Sequence, residues 1–235
     1  SHAYRQSSQV TPELWERDPA NRLLARAPRY RWPFWMLRDQ ALAASGLLVN
    51  TPGGPPVNSY QPAGVWEEAT FGGKRYVQDH GDALYRRSLY IFWRRIVAPT
   101  MFFDSASRQT CSVKPLRSNT PLHALLTFND VTYVEAARRL AEHALLATGP
   151  DSDAGRLEWL FLRLLARTPA EPEREILLRG LARSRGQYRE NPAGAQALIA
   201  LGEAPRLGET DAVELASWTS LCLAVMNLDE FLTRE

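Results

Sequence analysis

At 235 residues, with 45% hydrophobic and 23% charged side chains, the chain has ordinary globular composition and enough length to bury a real core, which sets it apart from disordered sequences. No apolar run approaches a membrane span, and the opening Ser-His-Ala-Tyr carries neither a start methionine nor a signal peptide, so we expect a piece of something longer. The net charge of +2 is no nucleic-acid footprint, although it is uneven: residues 1–148 hold 18 basic and 12 acidic side chains, residues 149–235 hold 10 and 14.

Residues 1–31 read as irregular chain with short helical turns, broken at Pro12, Pro19 and Pro28 and dense in arginine at Arg22, Arg26, Arg29 and Arg31. Pro33 opens a helix with Phe34, Leu37, Ala41 and Leu42 inward, stopped at Ser45-Gly46, and Arg38 and Asp39 fall inside it. Four prolines and three glycines make residues 50–64 an extended loop, with Val57 and Tyr60 pinning it to the surface. A short hairpin around Gly72 and Gly73 follows. The pattern Tyr85, Leu89, Phe92, Ile96 predicts a helix from Asp82 to Val97, with Arg86, Arg87, Arg94 and Arg95 on its other side.

A loop through Phe102, Phe103, Asp104 and Cys111 leads to Thr120-Pro121, a helix-start signal. The helix it opens is expected to bury Leu122, Leu125 and Leu126, with Arg117, Asn119, His123, Asn129 and Asp130 crowding its ends. Asp130 caps the next helix (Tyr133, Ala137, Leu140, Ala144), which ends at the candidate boundary Gly149-Pro150. Beyond it, Leu157, Leu160, Phe161, Leu164 and Leu165 mark an amphipathic helix to about Arg167, and Thr168 to Glu171 has capping-box spacing. Leu177, Leu181, Ser184 and Tyr188 continue to Asn191-Pro192, a short helix covers 193–201, and Asp211 caps a last helix containing Leu215, Trp218, Cys222 and Val225. The fold class is therefore mainly α: a helical bundle with long Pro/Gly-rich loops and little β. Residues 1–149 form a loop-rich, arginine- and aromatic-rich part, and 150–235 an all-helical part packed on it as one domain.

His2, His80, His123 and His143 share no metal spacing, and Cys111 and Cys222 stand far apart, so no metal site and no cofactor is expected in this chain. Gly-x-Ser-x-Gly is absent, and Gly53-Gly54 lacks the lysine of a phosphate cradle. Acid/base material is limited to carboxylates such as Asp39 and Asp104 in the part where 18 of the 23 aromatics lie, a mixture a sugar cleft would use. The competing reading makes Asp39 and Asp104 anchors for Arg38, Arg86 or Arg117, because buried charges need partners. No catalytic residue is assigned; the candidate binding residues are Arg38, Asp39, Arg86, Arg87, Asp104, Arg117, Asn119 and Asn129, with an Arg86–Asp104 pair expected between helix 82–97 and the loop after it.

Separated stretches then fall into one order: Asp18-Pro19 with Asn21-Arg22, Arg38-Asp39 with Ser45-Gly46-Leu47, Gly53-Gly54-Pro55 with Tyr60-Gln61-Pro62, Tyr85 to Tyr90, Phe103-Asp104, Asn119 to Leu122 with Asn129-Asp130, and Asn227 to Phe231. Together they resemble the C-terminal domain of unknown function of large secreted planctomycete-type proteins. The resemblance covers essentially the whole chain and often has Gln at the position of His123. It implies a missing N-terminal part, whose loss would leave an apolar patch near the first 50 residues. It further implies export to the periplasm or cell surface, a preceding domain as partner, and a cytochrome c-like haem domain elsewhere in the parent. The preferred expectation is an accessory or binding module. The alternative is a carbohydrate-active enzyme domain, which would place its loops around an open pocket with convergent acids. No membrane span and no nucleic acid enter either reading.

Overall fold

The computed structural model describes residues 2, 5–94, 97, 104, 111, 113, 118–146 and 152–234. Ten α-helices and one two-stranded sheet account for the regular structure among them, so the chain is mainly α. The first part contributes α1 (Pro12–Arg17), β1 (Tyr30–Arg31), α2 (Phe34–Ser45), α3 (Val65–Ala69), α4 (Pro121–Asn129) and α5 (Val131–Leu146). After it come α6 (Asp153–Leu165), α7 (Glu171–Glu190), α8 (Pro192–Ile199), α9 (Ala212–Met226), α10 (Asp229–Leu232) and β2 (Thr233–Arg234). β1 and β2 pair antiparallel, Tyr30 opposite Arg234 and Arg31 opposite Thr233.

Helix α5 is the axle. It packs on α9 and α2 most extensively, and also on α4, α6 and α8. Ala136, Ala137, Ala141 and Ala144 on α5 are buried, and such small side chains let neighbouring helices come close. Opposite them stand Leu215, Trp218, Cys222 and Val225 of α9, all fully buried, so the last helix expected from sequence does face inward. Phe34, Leu37 and Ala41 of α2 join Leu157, Phe161 and Trp218 in one hydrophobic cluster, so both parts of the chain feed the same core. Local signals agree with this packing. Gly46 takes a left-handed conformation (φ 77°) to end α2, and Asp211 accepts from the Glu214 amide at 3.0 Å to start α9.

Three elements differ from expectation. The helix expected over 82–97 is absent from its described residues, which form two 3-10 turns, Gly81–Tyr85 and Ser88–Tyr90, joined by extended chain. Val49 donates to the Tyr85 carbonyl, and Val57 exchanges backbone bonds with Tyr90 and Phe92 at 2.8 Å each, so tertiary bonds to the 50–64 loop replace helical ones. Leu89 and Phe92 are consequently exposed while Ser88 is buried. No hairpin forms at Gly72-Gly73; a turn closes α3, and Phe71 is fully exposed. Helix α4 starts where Thr120-Pro121 predicts but is rotated, burying His123 and Thr127 and exposing Leu122 and Leu125, while Leu126 packs half-buried against the core as expected. The capping acceptor of α7 is Glu173, bonded to the Ala170 amide at 2.7 Å and to Arg167, rather than Thr168. Trp15, Leu23 and Leu24 stand exposed near the N-terminus, where an apolar patch was expected.

Candidate functional site

The singled-out residues of α2 and the 84–91 segment form a clamp. Arg38 is completely buried: its Nη1 donates to the Arg86 carbonyl (2.8 Å) and to Ser88 Oγ (3.3 Å), its Nη2 to the Leu84 carbonyl (2.7 Å). Burial lowers the pKa of this guanidinium, and neighbouring Asp39 opposes the shift. Asp39 accepts from the Ser88 amide (2.8 Å) and hydroxyl (2.7 Å), and its other oxygen lies 3.8 Å from Arg87 Nε. Arg86 extends the clamp into the Pro/Gly loop, donating to the carbonyls of Pro55 (2.8 Å), Thr51 (3.2 Å) and Gly53. The same guanidinium lies 4.0 Å over the Tyr90 ring, whose hydroxyl accepts from the Gly53 amide at 2.8 Å. Val57 and Tyr60 of the loop are buried and pin it to the surface, as its apolar residues predict, while residues 50–56 and 62–64 stay exposed.

A second polar group gathers where α4 begins. Asp104 accepts from the amide (2.7 Å) and hydroxyl (2.8 Å) of Ser118, and His123 Nε2 lies 3.8 Å from its Oδ2. The expected Arg86–Asp104 pair does not form, because Arg86 is committed to loop carbonyls. His123 Nδ1 accepts from the Thr120 amide at 2.9 Å, which puts the imidazole proton on Nε2, toward Asp104. Burial, helped by the positive charge of Arg31, holds the His123 pKa below its usual value against the pull of Asp104. Arg31 is buried with its guanidinium 4.3 Å over the Phe34 ring, and Phe34 in turn packs 5.2 Å from the His123 ring. With Nδ1 taken by a backbone amide and Ser118 donating to the carboxylate, this Ser, His and Asp are not in the relay order of a hydrolase. Among the other singled-out positions, Arg87 is half exposed, Asn119 is exposed, and Asn129 is exposed with its Nδ2 on the Leu125 carbonyl at 2.6 Å. Arg117 lies outside the described residues.

Sequence reasoning missed a third group, on α5. Glu135 is fully buried and accepts from Tyr60 Oη (3.1 Å), Tyr85 Oη (3.0 Å) and the Ala204 amide (2.6 Å). Desolvation and the Glu135 carboxylate raise both tyrosines, Tyr85 to about 12, so they remain donors. Arg138 joins Glu142 (2.9 Å) to the Ala204 carbonyl (2.8 Å), and Arg206 closes on Glu142 at 3.0 Å. The only trace in sequence is the acid/base spacing 135, 138, 139, 142, which ordinarily marks a solvated helix face. Here the 200–211 loop covers it.

The three groups define a helical domain in which Arg38, Asp39, Arg86, Glu135 and Arg138 fasten loops to helices. No cluster of His, Cys, Asp and Glu able to hold a metal occurs among the described residues. The family model for PSD1, a protein of unknown function (DUF1553), matches residues 1–181, and the chain belongs to that family. No curated protein and no solved structure matches the chain.

Proposed function

We propose that this chain is an accessory, non-catalytic module that packs on a neighbouring domain of a secreted, planctomycete-type parent protein and helps form its binding surface, with a haem domain elsewhere in that parent. The resemblance supports the export, the haem linkage and the neighbouring domain. The observation that carries the non-catalytic part is the pinning of the 50–64 loop: Arg86 occupies the carbonyls of Thr51, Gly53 and Pro55 and Tyr90 the Gly53 amide, so these groups are spent on scaffolding where an enzyme would use them to rim a site. Asp39 and Asp104, the best acids of the first part, each accept from the amide and hydroxyl of a serine. The test is a glycoside panel assayed with the parent protein, with this chain alone, and with Asp39→Asn and Asp104→Asn variants checked for folding by circular dichroism. The module reading expects no turnover by the chain and unchanged turnover by folded parent variants. Turnover by the chain that either folded variant abolishes would establish the carbohydrate-active alternative.

A further inference from the structure

Helix α4 is built inside out. Its fully buried side chains are His123 and Thr127, with Leu126 half-buried against the core beside them, while Leu122 (62% exposed), Leu125 (61%) and Phe128 (41%) recur every third residue on the face turned to solvent. The polar side chains inside are provided for: His123 meets the Thr120 amide, and Thr127 donates to Asn227 at the end of α9. Their orientation is therefore fixed by bonds, and the apolar face is left outward as a consequence. Single exposed leucines need no explanation, but three at helical spacing opposite a polar buried face do.

We propose that this face of α4 is the docking surface for an uncharged, leucine-type stripe of an amphipathic helix on another domain of the same polypeptide; the inference rests on the accessory-module reading and names its contact surface. Charge selects the class of partner. From Pro121 to Asn129 the helix has no Asp, Glu, Lys or Arg, and its one titratable side chain, His123, is buried away from this face, so a charged stripe laid on it would lose its water without gaining an ion pair. Size selects the linkage. Three partly exposed side chains offer on the order of 300 Å² of apolar surface, the scale of the largest patch on an ordinary monomer. A stable contact between separate proteins takes about 800 Å² per partner. A second copy of this chain, pairing through α4 alone, would fall well short of that, whereas a tethered helix at millimolar effective concentration would not need it.

Hydroxyl-radical footprinting read by mass spectrometry, on the parent protein and on this chain alone, tests the assignment. Leu122, Leu125 and Phe128 should be modified several-fold less in the parent. The Leu122→Gln/Leu125→Gln variant should keep its circular dichroism, since both side chains are exposed, yet restore Phe128 modification in the parent to the level of the isolated chain. Equal modification of the three residues in both proteins would overturn the proposal; protection elsewhere on the chain would then leave the module reading standing, and protection nowhere would remove both. Continued protection of Phe128 in the double variant, or protection in the isolated chain that grows with its concentration, would also overturn it, the latter in favour of self-association.

Discussion

Arg38 donates to the backbone carbonyl of Arg86 at 2.8 Å, and Arg86 sends its own guanidinium onward to the carbonyls of Pro55 and Thr51. Two arginines in series thus tie α2 to the 84–91 segment and that segment to the Pro/Gly loop. Each satisfies backbone oxygens that a helix or sheet would otherwise have to satisfy. The guanidinium suits this task because its rigid fork reaches several acceptors at once, which an ammonium on a flexible stem does not.

Arg86→Lys should therefore loosen the loop without unfolding the core. The Gly53 amide, held by Tyr90 Oη, and the Val57 amide, held by the Tyr90 carbonyl, flank the loop carbonyls that Arg86 fastens and report on that attachment. Hydrogen exchange should show both amides losing protection by tenfold or more, with α5 and α9 unaffected. Unchanged exchange at Gly53 would show that the loop holds itself.

Gly202 has φ +86°, and a Cβ there would run into the Glu135 carboxylate, which three hydrogen bonds hold in place. Gly202→Ala combines left-handed strain with a collision against an immobile group. It should cost about 2–4 kcal/mol in urea unfolding. A loss below about 1 kcal/mol would mean that the 200–211 loop can slide off α5 cheaply.

The pH dependence of stability carries a signature of His123. Its folded pKa lies below the unfolded value, so its contribution is fully present above about pH 6.5. As pH falls, the unfolded chain takes the proton first, and stability is lost until pH passes the folded pKa. His123→Gln keeps an acceptor for the Thr120 amide but cannot titrate. The stability of wild type relative to this variant should fall between pH 7.5 and 5, a difference in which the other histidines cancel. A constant difference over that interval would place the imidazole in a more open setting.

Where sequence was readable, the local signal and the burial pattern coincided. Pro33 and Gly46 bracket α2, Tyr133 and Leu140 lie inward on α5, and Trp218 and Cys222 inward on α9. The 82–97 segment was misread because Tyr85, Leu89 and Phe92 imitate helical spacing, while the groups that decide its path are backbone partners: Arg38 on the carbonyls of Leu84 and Arg86, and Val57 on that of Tyr90. Arg38, Asp39 and Arg86 stand out in sequence as candidate binding residues, yet a carbonyl acceptor leaves no mark in sequence, so the backbone partners that occupy the two arginines are not legible there. α4 was reversed for a related reason, since His123 looked like a surface residue until Thr120 gave it a bond. Glu135 was invisible because its tyrosine donors lie 75 and 50 residues away.

The central claim is that Arg38 and Arg86 are structural and act as one unit. A double-mutant cycle in urea with Arg38→Met and Arg86→Met measures this directly. Arg38→Met alone should cost about 3–5 kcal/mol, because it strands buried acceptors, and the double variant should cost at least 1 kcal/mol less than the two single losses added together. Strictly additive losses would contradict the coupling, and near wild-type stability for Arg38→Met would contradict the account itself.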